Sequence, residues 1–244
     1  MEKYKLRILE IVKESEDTRT FYLEKPQGFT WEEGAHAHFA IEGFDEGERP
    51  RNEWVRHMSI MTLPEEGKIG FTTRIPQEPS EYKLRLEKAG VGGKVVLFKL
   101  GNRMELRREE RPVVLLSMGV GLATMRPLVL AYQKDPTGIP SLTSLQVDRS
   151  PDPLFGDVLA SSSMGNFHHT HVPSRAAFQG QVKALLGLEK PIWYLVGSDE
   201  FVLETIQYLR DHGVEDEAMV IDKKEMVRKK FFSIRWNELR LVLP

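Results

Sequence analysis

No cysteine occurs among the 244 residues, which excludes disulfides, cysteine-ligated iron–sulfur clusters, thiolate zinc sites and a catalytic thiol. Any redox centre has to be a bound cofactor or use other ligands. Long apolar runs are missing as well. The N-terminus, "MEKYKLRILEIVKESEDTRTF", is charged every few residues, and its uncharged runs are too short for a signal peptide or a membrane span. A cytoplasmic location without a membrane partner is expected. Nor does one sign of charge dominate: the formal net charge is -2 with 29% charged and 41% hydrophobic residues, the balance of an ordinary globular chain and not of a nucleic-acid binder. There is no Gly-x-Ser-x-Gly nucleophile elbow. "GVGGKVV" lacks the four-residue spacing and the Ser/Thr after lysine of a phosphate loop, so it reads as a turn entering a strand. His36 and His38, like His168, His169 and His171, have no carboxylate at matching spacing, and no metal site is expected.

The chain is long enough for two modest domains, and its texture changes once. Residues 1 to about 110 read as strands joined by turns: "YKLRILEIV" and "TRTFYLEKP" alternate apolar with polar side chains between glycines and prolines. This pattern predicts an antiparallel β-barrel. After Arg111 and Pro112 comes "VVLLS", an unbroken apolar run of the kind buried in a parallel sheet, then "LATMRPLVLAYQK" with helical spacing. The alternation continues through "SLTSLQV", "FHHTHV", "PIWYLVG" and "EAMVID", predicting a doubly wound α/β domain on a five-stranded parallel sheet. The expected boundaries are 1–110 and 111–222, followed by a basic and aromatic extension over 223–244.

In such sheets ligands bind at the carboxyl ends of the strands, and the first turn is "SMGVGLATM". Gly119 and Gly121 let backbone approach a phosphate, and the following helix N-terminus offers unpaired N–H groups. Thr124 stands where a dinucleotide fingerprint has its third glycine, so the motif is incomplete. In the barrel half, "RHMSIMT" puts arginine and histidine beside Met58, Ser59 and Ile60, residue types that grip and cover a flat anion.

The order of these parts, "RHMS", then "EPSEYKLRLEKAGVGGKVVLFKLGNRMEL", then "GVGLATMRPL" and "YLVGSDEFVLETIQYLRDHGV", resembles the ferredoxin–NADP reductase family of flavoproteins, from the N-terminus to about Asp222. The resemblance implies a barrel that holds FAD through an Arg-x-Tyr-Ser motif, matched by Arg56 and Ser59. His57 fills the variable place, and Met58 replaces the aromatic that packs on the flavin; a thioether can also lie on a flat ring. It further implies a second pyrophosphate contact from a helix-opening serine, here Ser80. Where the family usually carries Gly-Gln in its barrel strand, this chain has Gly34 and Ala35.

For the second domain the resemblance assigns the Gly119, Gly121 and Thr124 turn to the dinucleotide. Arg149, Ser174 and Arg175 are its candidates for the adenosine ribose and a 2′-phosphate, which a guanidinium grips with parallel hydrogen bonds. NADPH is expected over NADH, with Asp148 beside Arg149 leaving NADH open. Hydride transfer would be positioned by Ser59, Val196 and Gly197, with Val196 and Ser198 replacing the cysteine and proline of the family's Cys-Gly-Pro segment. The mechanism that the resemblance implies needs little side-chain acid–base chemistry, because the protein's task is to hold nicotinamide C4 about 3–3.5 Å from flavin N5. Electrons would then leave for a separate carrier, such as an acidic ferredoxin or flavodoxin, or for a small-molecule acceptor.

From Lys223 to Arg235 there are six basic residues and one acidic residue, an asymmetry that can steer such a carrier. Phe231, Phe232 and Trp236 are candidates for a ring that stacks on the flavin. Two other readings stay open. One is a free-flavin or ferric-chelate reductase that binds flavin in passing. The other is a non-catalytic flavin-binding subunit for electron transfer or regulation.

Overall fold

The structure, a computed structural model, describes residues 2–150, 154–160 and 166–233. It divides into two compact units, Met1–Glu105 and Leu106–Pro244.

In the first unit six strands form one antiparallel sheet: β1 (Lys3–Lys13), β2 (Thr18–Glu24), β3 (Ala35–Ile41), β4 (Val55–Ser59), β5 (Lys68–Arg74) and β6 (Lys94–Asn102). Their order is β4-β3-β6-β1-β2-β5. Alternation drives the curl. Leu6 and Ile8 point inward while Lys5, Arg7 and Leu9 point to solvent, and the cross-strand partners Phe21 and Phe71 stack inside at 5.3 Å. Past β4 the chain crosses between the sheet's two edges. The Ile60 amide donates to the Ala35 carbonyl, and the Met61 amide to the Gly70 carbonyl at 2.8 Å. Gly70 N–H in turn donates to Thr62 Oγ1 at 2.9 Å. These bonds satisfy groups that an open edge would leave exposed, and they curl the sheet into a half-barrel, the antiparallel architecture expected for this unit. Helix α1 (Glu81–Ala89) buries Tyr82 and Leu86 against this core.

The second unit is the expected five-stranded parallel sheet. Its strands are β7 (Val113–Met118), β8 (Leu142–Val147), β9 (Phe167–Val172), β10 (Ile192–Val196) and β11 (Met219–Ile221), in the order β11-β10-β7-β8-β9. The order reverses between β7 and β10, which makes a topological switch point at their carboxyl ends. Right-handed crossovers put α2 (Leu122–Lys134) and α3 (Gly156–Ala160) on one face, and α4 (Arg175–Leu185) and α5 (Asp199–Asp211) on the other. The second face buries Val114, Leu116, Trp193 and Leu195 under Phe178, Phe201 and Ile206.

A last helix, α6 (Glu225–Ser233), follows β11. Phe231 is 6% exposed within the same core, and Phe232 packs against it. The Phe232 carbonyl accepts from Arg210, whose guanidinium lies 5.6 Å from its ring centroid. Burial withdraws Phe231 from the stacking role, because its ring already packs in this core. Trp236 lies outside the described residues. No helix among those described is long and apolar enough to cross a membrane.

Candidate functional site

The described residues singled out in the sequence fall in both units. In the first, β4 carries Arg56 and Met58 on one face and His57 and Ser59 on the other, because strand side chains alternate. Arg56 Nη1 donates to the Glu53 and Val55 carbonyls at 2.9 and 2.8 Å. This fixes the guanidinium, with Nη2 3.4 Å from Ser80 Oγ. Ser80 precedes α1 at its N-cap position, yet its side chain makes no capping bond. An anion between the two would therefore find a fixed guanidinium, a hydroxyl and the free N–H groups of a helix start.

A cation that the sequence reading passed over stands beside this pair. Lys83, one helical turn beyond Ser80, has its ammonium pKa lowered, first by desolvation and then by the charges of Arg56 and Arg74, with Asp17 acting the other way. Arg74 pairs with Asp17 at 3.0 Å. The available sequence signal was the spacing of three from Ser80 to Lys83. The Tyr82 ring lies 5.2 Å from the Arg56 guanidinium. Its hydroxyl is buried without a hydrogen-bond partner, and burial pushes its pKa well up against the opposing charge of Arg56.

The opposite face of β4 differs. His57 is exposed, its ring 4.2 Å from that of buried His36 and 5.6 Å from His38, and its Nε2 is 3.3 Å from Arg103 Nη1. Ser59 pairs across from His36. Met58 is half-buried and packs against the barrel core. The structure thus brings Arg56 and Ser80 together and sets His57 and Ser59 apart from them, on the other side of the strand.

In the second unit Gly119, Gly121, Val196 and Gly197 meet at the switch point. Gly119 has φ +55°, a conformation costly for any residue with a Cβ. A Cβ on Gly121 would stand 2.6 Å from the Val196 carbonyl oxygen, so glycine is required there for the turn to pass close to β10. Gly197 packs equally tightly on Phe201 and Met118. Thr124 is buried on α2. The Asp148 carboxylate closes this turn from the side: it accepts from the Ser150 amide at 2.8 Å, and its other oxygen is 3.6 Å from where a Gly119 Cβ would lie.

Arg149 is exposed in the bend after β8. Ser174 caps α4, accepting from the Ala177 amide at 3.2 Å. Arg175 is already engaged: Nη1 donates to Glu204 Oε2 on α5 at 2.6 Å, and the guanidinium lies 5.4 Å from the Phe201 ring centroid. Glu204 carries no motif, and sequence reasoning missed it for that reason.

No family model matches the chain, and no curated protein matches it in sequence. Solved structures do share its fold. A ferredoxin reductase in carbazole 1,9a-dioxygenase superposes with a TM-score of 0.74 at 16% identity, covering 91% of this chain and 68% of its own. A ferredoxin NADP+ reductase from Neisseria gonorrhoeae with bound FAD and NADP gives 0.73 at 17% identity, covering 86% and 92%. The ferredoxin-NADP+ reductase of Plasmodium falciparum, as its H286K mutant in complex with 2'P-AMP, gives 0.72 at 12% identity, covering 90% and 95%.

Proposed function

We propose, on the premise of a fold shared with ferredoxin reductases, that the chain is a flavin-dependent NAD(P)H oxidoreductase. In this reading residues 1–110 hold FAD, residues 111–222 hold the nicotinamide dinucleotide, and electrons pass to an external one-electron carrier such as ferredoxin or flavodoxin. The observation that carries the reading is the meeting of Arg56 and Ser80 across 24 positions of sequence, 3.4 Å apart, with the Lys83 ammonium close enough to feel the Arg56 charge. The Arg56 guanidinium, the Ser80 hydroxyl that it meets at 3.4 Å and the nearby Lys83 ammonium suit a pyrophosphate, which FAD has and FMN lacks. FAD, when bound, supplies the acceptor for hydride from NAD(P)H and the release of electrons one at a time.

The chain's own contribution is binding and orientation. Arg56, with Nη1 tied to two carbonyls, presents Nη2 in a fixed direction, which lowers the entropy lost on gripping an anion. Gly119 and Gly121 expose the backbone N–H groups of the turn and of α2 to the dinucleotide phosphates. Val196 and Gly197, at the end of β10, border the same turn.

The test is the visible spectrum of the purified protein. A bound flavin that bleaches anaerobically on adding NADPH or NADH, and is released by denaturation as FAD, is the expected result. A colourless protein that still reduces added flavin would replace it with the free-flavin reductase reading, which the replacement of the motif's aromatic by Met58 keeps open. Flavin that neither nucleotide reduces would leave the non-catalytic subunit reading.

The carrier surface is assigned to α6, where Lys224, Lys229 and Lys230 are exposed beside Met226, itself 77% exposed. Lys223 is taken up by Asp199 at 2.6 Å, and Lys229 stands 3.8 Å from Glu225, an exposed pair that water and an approaching carrier can displace. Lys229→Glu with Lys230→Glu is expected to slow reduction of an acidic carrier about tenfold at low salt, an effect that fades as ionic strength rises. Stopped-flow rates indifferent to both charge and salt would move the docking surface elsewhere.

A further inference from the structure

We propose that Glu204 sets the coenzyme preference of this chain by holding Arg175 against the 2′-phosphate. The inference rests on the reading of the second unit as a dinucleotide-binding domain, and it names a residue that this reading leaves out. Arg175 opens α4 directly after β9, at the carboxyl end of the sheet, where the adenosine end of the coenzyme is expected. Its guanidinium meets Glu204 at 2.6 Å. The pair spans a mostly apolar groove between α4 and α5, lined also by Phe178, Val182, Phe201 and Tyr208.

A 2′-phosphate arriving at Arg175 therefore meets a cation that is already neutralised, with a carboxylate beside it. Arg175 has to exchange Glu204 for the phosphate. Side-chain exposures of 41% and 37% show that water reaches both partners, so the pair is weak and the exchange is feasible, at a cost of up to about fivefold in affinity. The chain then accepts both coenzymes and favours NADPH only modestly. Ser174 does not alter this balance: its oxygen accepts from the Ala177 amide, and its proton stays available to either ribose.

Adenosine 2′,5′-bisphosphate and 5′-AMP differ only by the 2′-phosphate, so their affinity ratio on the full-length protein isolates that contact. Titration calorimetry at low salt is expected to show this ratio rising about fivefold in Glu204→Gln, with 5′-AMP unchanged. Arg175→Ala should lose the preference, and Glu204→Gln added to Arg175→Ala should gain markedly less than it does in the parent. Equal gains in both backgrounds would mean that Glu204 acts by general repulsion, and would overturn its hold on Arg175. Binding of both nucleotides with a ratio unmoved by Glu204→Gln would overturn the inference and leave the dinucleotide domain standing. Binding of neither nucleotide, with bound flavin unreduced by NADH or NADPH, would remove both.

Discussion

Arg56→Ala is expected to purify with little or no bound FAD, its affinity for added FAD reduced roughly 10- to 150-fold. The magnitude follows from the geometry. A charge-assisted hydrogen bond is worth about 1.5–3 kcal/mol, and Arg56 has its Nη1 tied to two backbone carbonyls. Its partners are undemanding: the Glu53 carbonyl belongs to an exposed residue of the 3-10 turn Asn52–Trp54 and the Val55 carbonyl lies at the start of the edge strand β4, where water can replace the lost donor. The barrel core does not depend on them, so the thermal transition of the flavin-free protein should move little. Lys83 remains in the variant and keeps some attraction for the pyrophosphate. A fluorescence titration of FAD against parent and variant measures the difference, with an exposed arginine such as Arg49 replaced as the control. Equal affinities would take Arg56 out of the site.

A second large effect is expected from pH. His169 on β9 sits beside Ser144, its Nδ1 3.1 Å from Ser144 Oγ, and burial followed by the charge of His171 pushes its pKa down to about 4. The folded-state value lies below the value of about 6.5 in an unfolded chain. Above pH 6.5 both states are neutral there and stability is indifferent to pH. Between 6.5 and about 4 the unfolded chain binds a proton that the folded one refuses, so stability falls with pH and the loss levels off below 4. Allowing for the partial exposure of the ring, the loss amounts to about 2 kcal/mol. Asp135, in the same unit, is a carboxylate with a lowered pKa, held down chiefly by Thr137, and its contribution begins at lower pH. The window from pH 7 to 5 therefore isolates the histidine. His169→Asn keeps a group near the Nδ1 position and cannot titrate there. The Tm of the parent should fall across that window more steeply than that of the variant, and parallel slopes would show that His169 is not the group responsible.

Both units were legible in the sequence because their signals are local. The alternation of "YKLRILEIV" marks a strand with one face inward, and Leu6 and Ile8 are buried as that pattern requires. "VVLLS" has no polar side, so it belongs between helices on both faces of a parallel sheet, where β7 lies at the centre. "SMGVGLATM" gave a strand, a turn and a helix, and the turn's glycines answer to a backbone angle and to the Val196 carbonyl. Side-chain partnerships were less accessible. "RHMS" looked like four neighbours sharing a task, yet strand alternation sends Arg56 toward Ser80 and His57 toward His36. Glu204 escaped notice because a lone glutamate on an amphipathic helix is ordinary until its position beside Arg175 is known.

The sequence by itself determined the absence of thiol chemistry, the order of a β half and an α/β half, and the turn where a phosphate is expected. Composition and short-range periodicity suffice for these, since each depends on neighbours within a few residues. Tertiary structure alone decided that Arg56 meets Ser80 with the charge of Lys83 nearby, that Arg175 is claimed by Glu204, and that Phe231 belongs to a core. Each of those outcomes depends on strand register, on the curling of the antiparallel sheet or on the packing of helices from distant parts of the chain. Side-chain charges and hydrogen bonds act over a few ångströms, and only the fold sets which groups come that close.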